Sequence, residues 1–455
     1  MKYRLSMRLT AIAVATLSVV GCASFSEDGG FASVQRLTQD RTGQTPSYQR
    51  TTHQIDPAQT RVAELLKQAL TADSAVEVAL LNNRDLQASF AALGIAEADL
   101  VRAGRLRNPS FTFGRLAGAG VVEIDRAVLF DVLGLLTMPW AQEAEQGRFE
   151  QAQLQAAFDA VGVAAEARSA YFSAVAAQEL LRYSEQVKEA ADASNELARR
   201  MLQAGNFSRL AQMREQAFQA DATAQLARAT HRVVAERERL TRALGLSGGP
   251  PLYQLPERLP PLPTQPAEPR DAEQTAMDKR LDVLMAKRSV QAVAASLGLT
   301  RATRFVNVLQ AGYQNQNVTG EPRSNGYEIE LELPLFDFGT ARVARAEAVY
   351  MQALHRAAQV AVNARSEVRE SYSAYRSAFD LAKHYRDEIV PLRKRISDEN
   401  QLRYNGMLVS VFELLADSRD QVASVTGSVE ALRDYWIAET RLQTALTGRS
   451  PDTAH

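Results

Sequence analysis

The chain states one long helical pattern twice. Glu166, Arg168, Tyr171, Ala177, Leu180 and Gly205 recur as Glu367, Arg369, Tyr372, Ala378, Leu381 and Gly406, every pair separated by the same step, 372 − 171 = 201. A period of that size divides 455 residues into two fused copies of one unit, where length alone would permit two or three unrelated domains. The repeats span 58–249 and 271–449, ahead of a short tail at 450–455. Between them, residues 250–270 hold eight of the sixteen prolines and read as an extended linker without core-forming potential.

Within each copy the periodicity changes from helix to strand and back. Arg61 to about Arg105 carries apolar residues at helical spacing and stops before Asn108-Pro109. Phe111 and Phe113 then alternate with small and polar residues, a glycine-rich turn lies at Gly118 to Gly120, and an apolar run follows from Val121 to Met138 before Pro139. That run is apolar almost throughout from Val128, so its strand is expected to be short or shifted in register. The second copy has Phe305 to Tyr313, a polar loop Gln314 to Gly326, and then Tyr327, Ile329, Leu331 and Leu333 alternating with Glu328, Glu330 and Glu332 up to Pro334. Strict alternation places one face against apolar surroundings and the other against water.

Each strand pair leads into a very long helix. From Tyr350 through Leu354, Ala357, Ala361, Ala364, Val368, Ser371 and Tyr375 to Ile396, apolar or small residues step by four and three, the period of a coiled-coil seam. Leu154, Phe158, Val161, Ala165, Phe172 and Val175 step likewise in the first copy, interrupted by Arg168. Pro391 is expected to kink or locally open the second helix, because the pattern resumes beyond it. Both helices end at glycine turns, Ala204-Gly205-Asn206 and Asn405-Gly406-Met407, where a positive φ is expected, and a shorter helix returns from each.

The N-terminus reads as an export signal over 1–21: Lys2, Arg4 and Arg8 precede an apolar run from Leu9 to Val20 that is too short to span a bilayer comfortably. It closes on Val19-Val20-Gly21-Cys22, which resembles a bacterial lipobox, so Cys22 is the expected attachment point for a diacylglycerol and an N-acyl chain. Residues 22–57 read as a lipidated, extended tether, poor in periodicity. Cys22 is the only cysteine, which excludes a disulfide and a thiolate metal site.

Strands of about ten residues are long enough to cross a bilayer at a tilt. Two hairpins cannot close a barrel, and open edges in hydrocarbon leave backbone groups unpaired, so several chains would have to share one. The chain here resembles the outer-membrane efflux proteins typified by TolC. The resemblance is carried by the duplicated layout, by Glu330-Leu331-Glu332-Leu333-Pro334-Leu335-Phe336 leading through Gly339 into a helix, and by Ile389-Val390-Pro391 through Arg403-Tyr404-Asn405-Gly406 to Glu413-Leu414-Leu415. It implies a mainly α fold with a membrane β-barrel portion: a homotrimer with a 12-stranded barrel, four strands per subunit, above a long periplasmic helical barrel. The implied role is the exit duct of a tripartite system with a periplasmic adaptor and an inner-membrane pump, lipid-anchored in the outer membrane.

Under that resemblance Phe111, Phe113, Tyr327, Ile329, Leu331 and Leu333 are membrane-strand residues. Glu413, Asp417 and Asp420, on one helix face, are candidates for an acidic ring at a gate, with the departure that Ala416 stands where relatives are often acidic. Gly205, Asn206, Arg403, Asn405 and Gly406 are candidate adaptor contacts. The other open reading of the three carboxylates is a solvated acidic stripe. The five histidines show no metal-ligand spacing and no glycine-rich phosphate loop is present, so no cofactor, metal or enzymatic activity is expected. With 52 basic against 53 acidic residues there is no footprint for nucleic acid. The competing class is a periplasmic coiled-coil scaffold or adaptor lipoprotein without a channel; an autonomous porin is disfavoured by the scarcity of strand.

Overall fold

A change of period in the sequence becomes a change of element in the computed structural model, which describes residues 24–50, 52–247, 253–306, 308–332, 334–406, 408–409 and 411–450. Four helices, α1 (Phe31–Thr42), α2 (Thr52–Leu66), α3 (Ala72–Asn82) and α4 (Arg84–Ala103), precede the strand pair β1 (Ser110–Gly118) and β2 (Val121–Asp131). The 72-residue α5 (Val132–Gln203) and the returning α6 (Arg209–Ala243) follow. The second half runs α7 (Ala272–Lys279), α8 (Leu281–Ala302), β3 (Leu309–Val318), β4 (Ser324–Leu331) and α9 (Thr340–His384). A π turn (Tyr385–Ile389) then joins α9 to α10 (Val390–Asn405), and α11 (Val411–Thr447) closes the chain. The fold is mainly helical with one small sheet.

Several expectations are corrected. The segment 22–57 is not extended over its described length. Asp28 caps α1, accepting from the backbone N–H of Ala32 at 2.8 Å, and that bond is the main reason its carboxyl lies below the ordinary range. Phe31 of this helix meets Phe90 edge-on at 4.8 Å. The helical pattern from Arg61 is broken into three helices, because Thr71 caps α3 and Asn83, itself extended, caps α4 through Leu86. Pro139 does not end a strand. Asp131 ends it, accepting from the N–H of Gly134 at 2.7 Å, and Pro139 lies inside α5. The stretch 314–326 is not all loop either: Gln314 to Val318 belongs to β3 and Ser324 to Gly326 to β4.

The helix around Pro391 opens as its chemistry requires. Proline lacks the N–H owed to the preceding turn and its ring crowds the carbonyl four residues back, and the π turn ends two residues before it, at Ile389.

By contacts the chain divides into two units. One comprises the described residues up to Val34 with those of Ser89–Ala156 and Val283–Ala361, and it contains the sheet. The other comprises Gln35–Ala88, Ala157–Asp282 and the chain from Val362. The core of this second unit is built on the seam of α9, where Ala364, Val368, Ser371, Tyr375, Phe379 and Ala382 are buried, and on Ala167 to Ala176 of α5. Stacking of Phe172 on Trp436 at 5.4 Å and the Tyr375–Tyr435 pair at 5.6 Å tie α11 to both long helices.

The proline-rich linker also needs correction, since its described part is strapped into that core. Tyr253, Leu255, Leu259 and Leu262 are buried. Lacking N–H groups, its prolines leave carbonyls to be satisfied by side chains: Trp436 Nε1 donates to Pro260 O at 3.0 Å. Tyr375 Oη accepts from the N–H of Ala267 at 2.8 Å.

At the turn from α7 to α8, Arg280 is almost wholly buried. Its guanidinium makes a forked contact with Asp282 at 2.9 and 3.0 Å and a bond to Glu367. Burial opposes its charge, but the two carboxylates outweigh burial and hold it above its usual range.

Candidate functional site

The sheet runs β1-β2-β3-β4 with every neighbouring pair antiparallel. Ala119 and Gly120, both at positive φ, make the two-residue turn that joins β1 to β2. Residues paired directly across antiparallel strands point to one face, so the register sorts the side chains. Phe111, Val128, Tyr313 and Tyr327 form one row, and Phe130, Ala311 and Ile329 form the next row away from the turns. Leu309 and Leu331 follow beyond that. Toward the turns, the row Phe113, Arg126, Asn315 and Asn325 becomes polar.

This face is open. Tyr327 is 83% exposed, Phe111 66% and Ile329 63%, and Phe113, Phe130, Tyr313 and Leu331 are exposed as well. The apolar surface continues at the strand ends through Leu135, Leu136 and Trp140 and through Leu335, Phe336 and Phe338. A patch this broad on a soluble chain would mark an interaction surface. The opposite face is acidic: Glu123, Asp125 and Asp131 of β2 share it with Glu328 and Glu330 of β4, and no Lys or Arg of the four strands joins them. Close packing at the centre of the sheet requires Gly312, where a Cβ would meet the Val128 carbonyl and lie 2.8 Å from Leu129 Cα.

β1 and β4 each pair on one side only, so the sheet presents two free edges among the described residues. No described helix is long and apolar enough to cross a membrane.

At the tip of α5, Gly205 has φ 77° and the chain closes a helix-ending turn, with Asn206 N–H bonded to Met201 O at 2.9 Å and Gly205 N–H to Leu202 O at 3.0 Å. The expected equivalence at the second tip is corrected. Gly406 has φ −82°, the helix runs one residue further, to Asn405, and the N–H of Leu408 closes the turn on Arg403 O at 2.8 Å. Arg403 is exposed and pairs with Glu399 at 2.8 Å, a bond within its own helix; Asn206 and Asn405 are exposed. Exposed Leu210 and Met213 flank the first tip, and Leu402 and Leu408 the second. Single exposed apolar residues of this kind carry no periodic signal in the sequence.

The three carboxylates of α11 are not equivalent. Glu413 is exposed, Asp417 is buried with no partner for Oδ2, and Asp420 is bound to Arg393 of α10 at 2.8 Å. Nearby, Glu215 of α6 accepts from Ser194 of α5 at 2.8 Å and pairs with Arg419 of α11 at 3.3 Å. Arg419 also lies over the Phe218 ring. Neither ion pair is marked by spacing in the sequence. Among the described residues no three His, Asp or Glu side chains gather as a metal site. Cys22 and Leu333 lie outside the described residues.

Compared by sequence, the chain matches no family model and no curated protein. Compared by structure, it is similar over most of its length to solved membrane channels. The Campylobacter jejuni CmeC outer membrane channel superposes with a TM-score of 0.70 at 16% identity, over 82% of this chain and 85% of that one. CusC, described for its transmembrane channel formation, gives 0.69 at 19% identity over 83% and 92%. The open state of the Neisseria gonorrhoeae MtrE outer membrane channel gives 0.67 at 15% identity over 85% and 89%. The chain has the fold of these outer-membrane channels.

Proposed function

We propose that this chain is the outer-membrane exit duct of a tripartite efflux system, passing substrates delivered by an inner-membrane pump and a periplasmic adaptor. The observation that carries the reading is the sheet, with one face apolar and exposed, the other acidic, and both edges free. Hydrocarbon accepts such a face only if no backbone edge remains, which calls for closure with further copies. Three chains of four strands each close a twelve-stranded barrel whose acidic faces line the lumen and whose apolar faces meet lipid. The similarity of fold to CmeC, CusC and MtrE supports the same reading, as does the recurrence of element order around the two hairpins.

Lipidation of Cys22 is part of the proposal. Ser26 is held to Glu97 through its backbone N–H at 2.6 Å and its hydroxyl, and Phe25 lies beside Arg105, five residues before β1. Four residues reach at most about 14 Å, so acyl chains on Cys22 would enter the membrane close to Ser26. The exposed leucines at the helix tips suit an adaptor helix, which would dock its apolar side there.

A scaffold lipoprotein would need its own cover for the sheet, and among the described residues none lies over Tyr327 or Phe111. The deciding experiment is native mass spectrometry of the detergent-extracted complex, with conductance in planar bilayers. A trimer with stepwise, cation-preferring conductance supports the duct. A monomer released by lipoprotein extraction and silent in bilayers overturns it.

A further inference from the structure

Charge on the sheet is sorted by sign as well as by face. The two cations of the strands, Arg115 and Arg126, both lie on the apolar face, and every carboxylate lies on the other. We propose that Arg115 and Arg126 form a binding site for the phosphomonoester headgroup of a lipid in the outer leaflet. The inference rests on the barrel reading above and adds to it a specific lipid contact on the outer wall.

The geometry fits one phosphate. Arg126 pairs with Phe113 and Arg115 with Ile124, so the two arginines are diagonal neighbours on adjacent strands, with Cβ atoms about 7 Å apart. Both are exposed, and neither has an ion pair among the described residues. Arg126 makes a single long bond, 3.4 Å to Asn315 Oδ1, which leaves most of its donors available. Its neighbours in the row are already committed: Asn325 Oδ1 accepts from Asn315 Nδ2 at 2.8 Å and from Tyr313 Oη at 2.6 Å. That locked row gives the arginines a fixed base.

Depth argues the same way. Below the row lie Phe111, Val128, Tyr313 and Tyr327, and above it come Arg115, Ile124 and Asn317 and then Ala117 and Val122 before the turns. The arginines therefore stand at the hydrocarbon border, where phosphates lie, and at the end of the sheet away from the helices. The β3–β4 turn carries Glu321 and Arg323, one of each sign, and adds no net charge. Guanidinium forks match phosphate oxygens in charge and in spacing.

The test is reconstitution of the full chain into phosphatidylcholine vesicles containing spin-labelled phosphatidic acid or spin-labelled phosphatidylcholine, read by the motionally restricted fraction in electron paramagnetic resonance. Wild type should hold phosphatidic acid about tenfold more strongly than phosphatidylcholine, and R115Q/R126Q should hold both equally. R323Q should behave as wild type, and millimolar inorganic phosphate should leave the preference intact. Equal retention of both lipids by an inserted wild type would overturn the site while leaving the barrel standing. Loss of the preference on adding inorganic phosphate would overturn the lipid assignment. No restricted lipid for any variant would instead sink the barrel reading.

Discussion

Ile329→Arg and Glu330→Arg put the same side chain on opposite faces of one strand, one residue apart. Ile329 is 63% exposed on the apolar face, in the row with Ala311 and Phe130. It lies four residues from Asn325, which belongs to the polar border row. At about 3.4 Å per residue and a tilt near 40°, that is about 10 Å below the border, close to the middle of a band about 25 Å tall. An arginine there would cost about 3 kcal/mol per chain, more than a hundredfold in the equilibrium for insertion of the proposed barrel. Glu330→Arg faces the acidic side, where water solvates it, and should change insertion by less than about 0.5 kcal/mol. Refolding from urea into dilauroylphosphatidylcholine vesicles, scored by the heat-dependent gel shift of the inserted form, measures both. Equal losses, or an Ile329→Arg chain that inserts as well as wild type, would refute the assignment of faces.

Three further outcomes are expected. Arg280→Met leaves Asp282 and Glu367 without their cation and should destabilise the chain by about 3–5 kcal/mol, partly restored by adding Glu367→Gln; thermal unfolding in detergent reads both. Burial holds the Glu439 carboxyl above its ordinary range against the pull of Arg168, so the folded state favours its protonated form and the chain loses stability as pH rises past the ordinary carboxylate value. Glu439→Gln should therefore stabilise at pH 7 and match wild type near pH 4, as urea midpoints at the two pH values would report. Burial likewise pushes the Tyr171 hydroxyl, which donates to Leu70 O at 3.1 Å, up to about 12, so its contribution is complete below pH 10 and lost between 10 and 12. Tyr171→Phe should cost about 1 kcal/mol at neutral pH and flatten the alkaline decline in the same midpoints.

Periodicity made the long helices and the strand pairs legible, because α9 keeps its seam buried from Ala364 to Ala382 and β4 alternates without a slip. It failed where one apolar run serves two elements. Val128 to Asp131 is strand and Val132 to Met138 is helix, and the switch depends on one carboxylate capping one N–H. It failed again at Tyr253, Leu255, Leu259 and Leu262, whose spacing around prolines follows neither period although the chain buries all four. Recurrence of Gly205 as Gly406 predicted two identical turns, yet the second helix runs one residue further, since a glycine permits positive φ without imposing it.

The carboxylates of α11 illustrate what spacing can and cannot decide. Positions 413, 417 and 420 do fall on one helical face, but sharing a face does not give them a common environment. A ring around an axis needs charges free to face water, and Asp420 is neutralised by Arg393 while Asp417 is buried. Glu413 alone is exposed and, among the described residues, without an ion pair. A gate built here would therefore show one carboxylate per chain while the Arg393 pair holds, and a second once it parts. The ion pair joins α10 to α11 across a helix tip, so any motion that separates these two helices parts the Asp420 carboxylate from the Arg393 guanidinium. That contact is exposed, worth at most about 1 kcal/mol and weakened by salt. A latch of that strength can be undone by the docking of a partner helix, which a buried network such as the one around Arg280 could not.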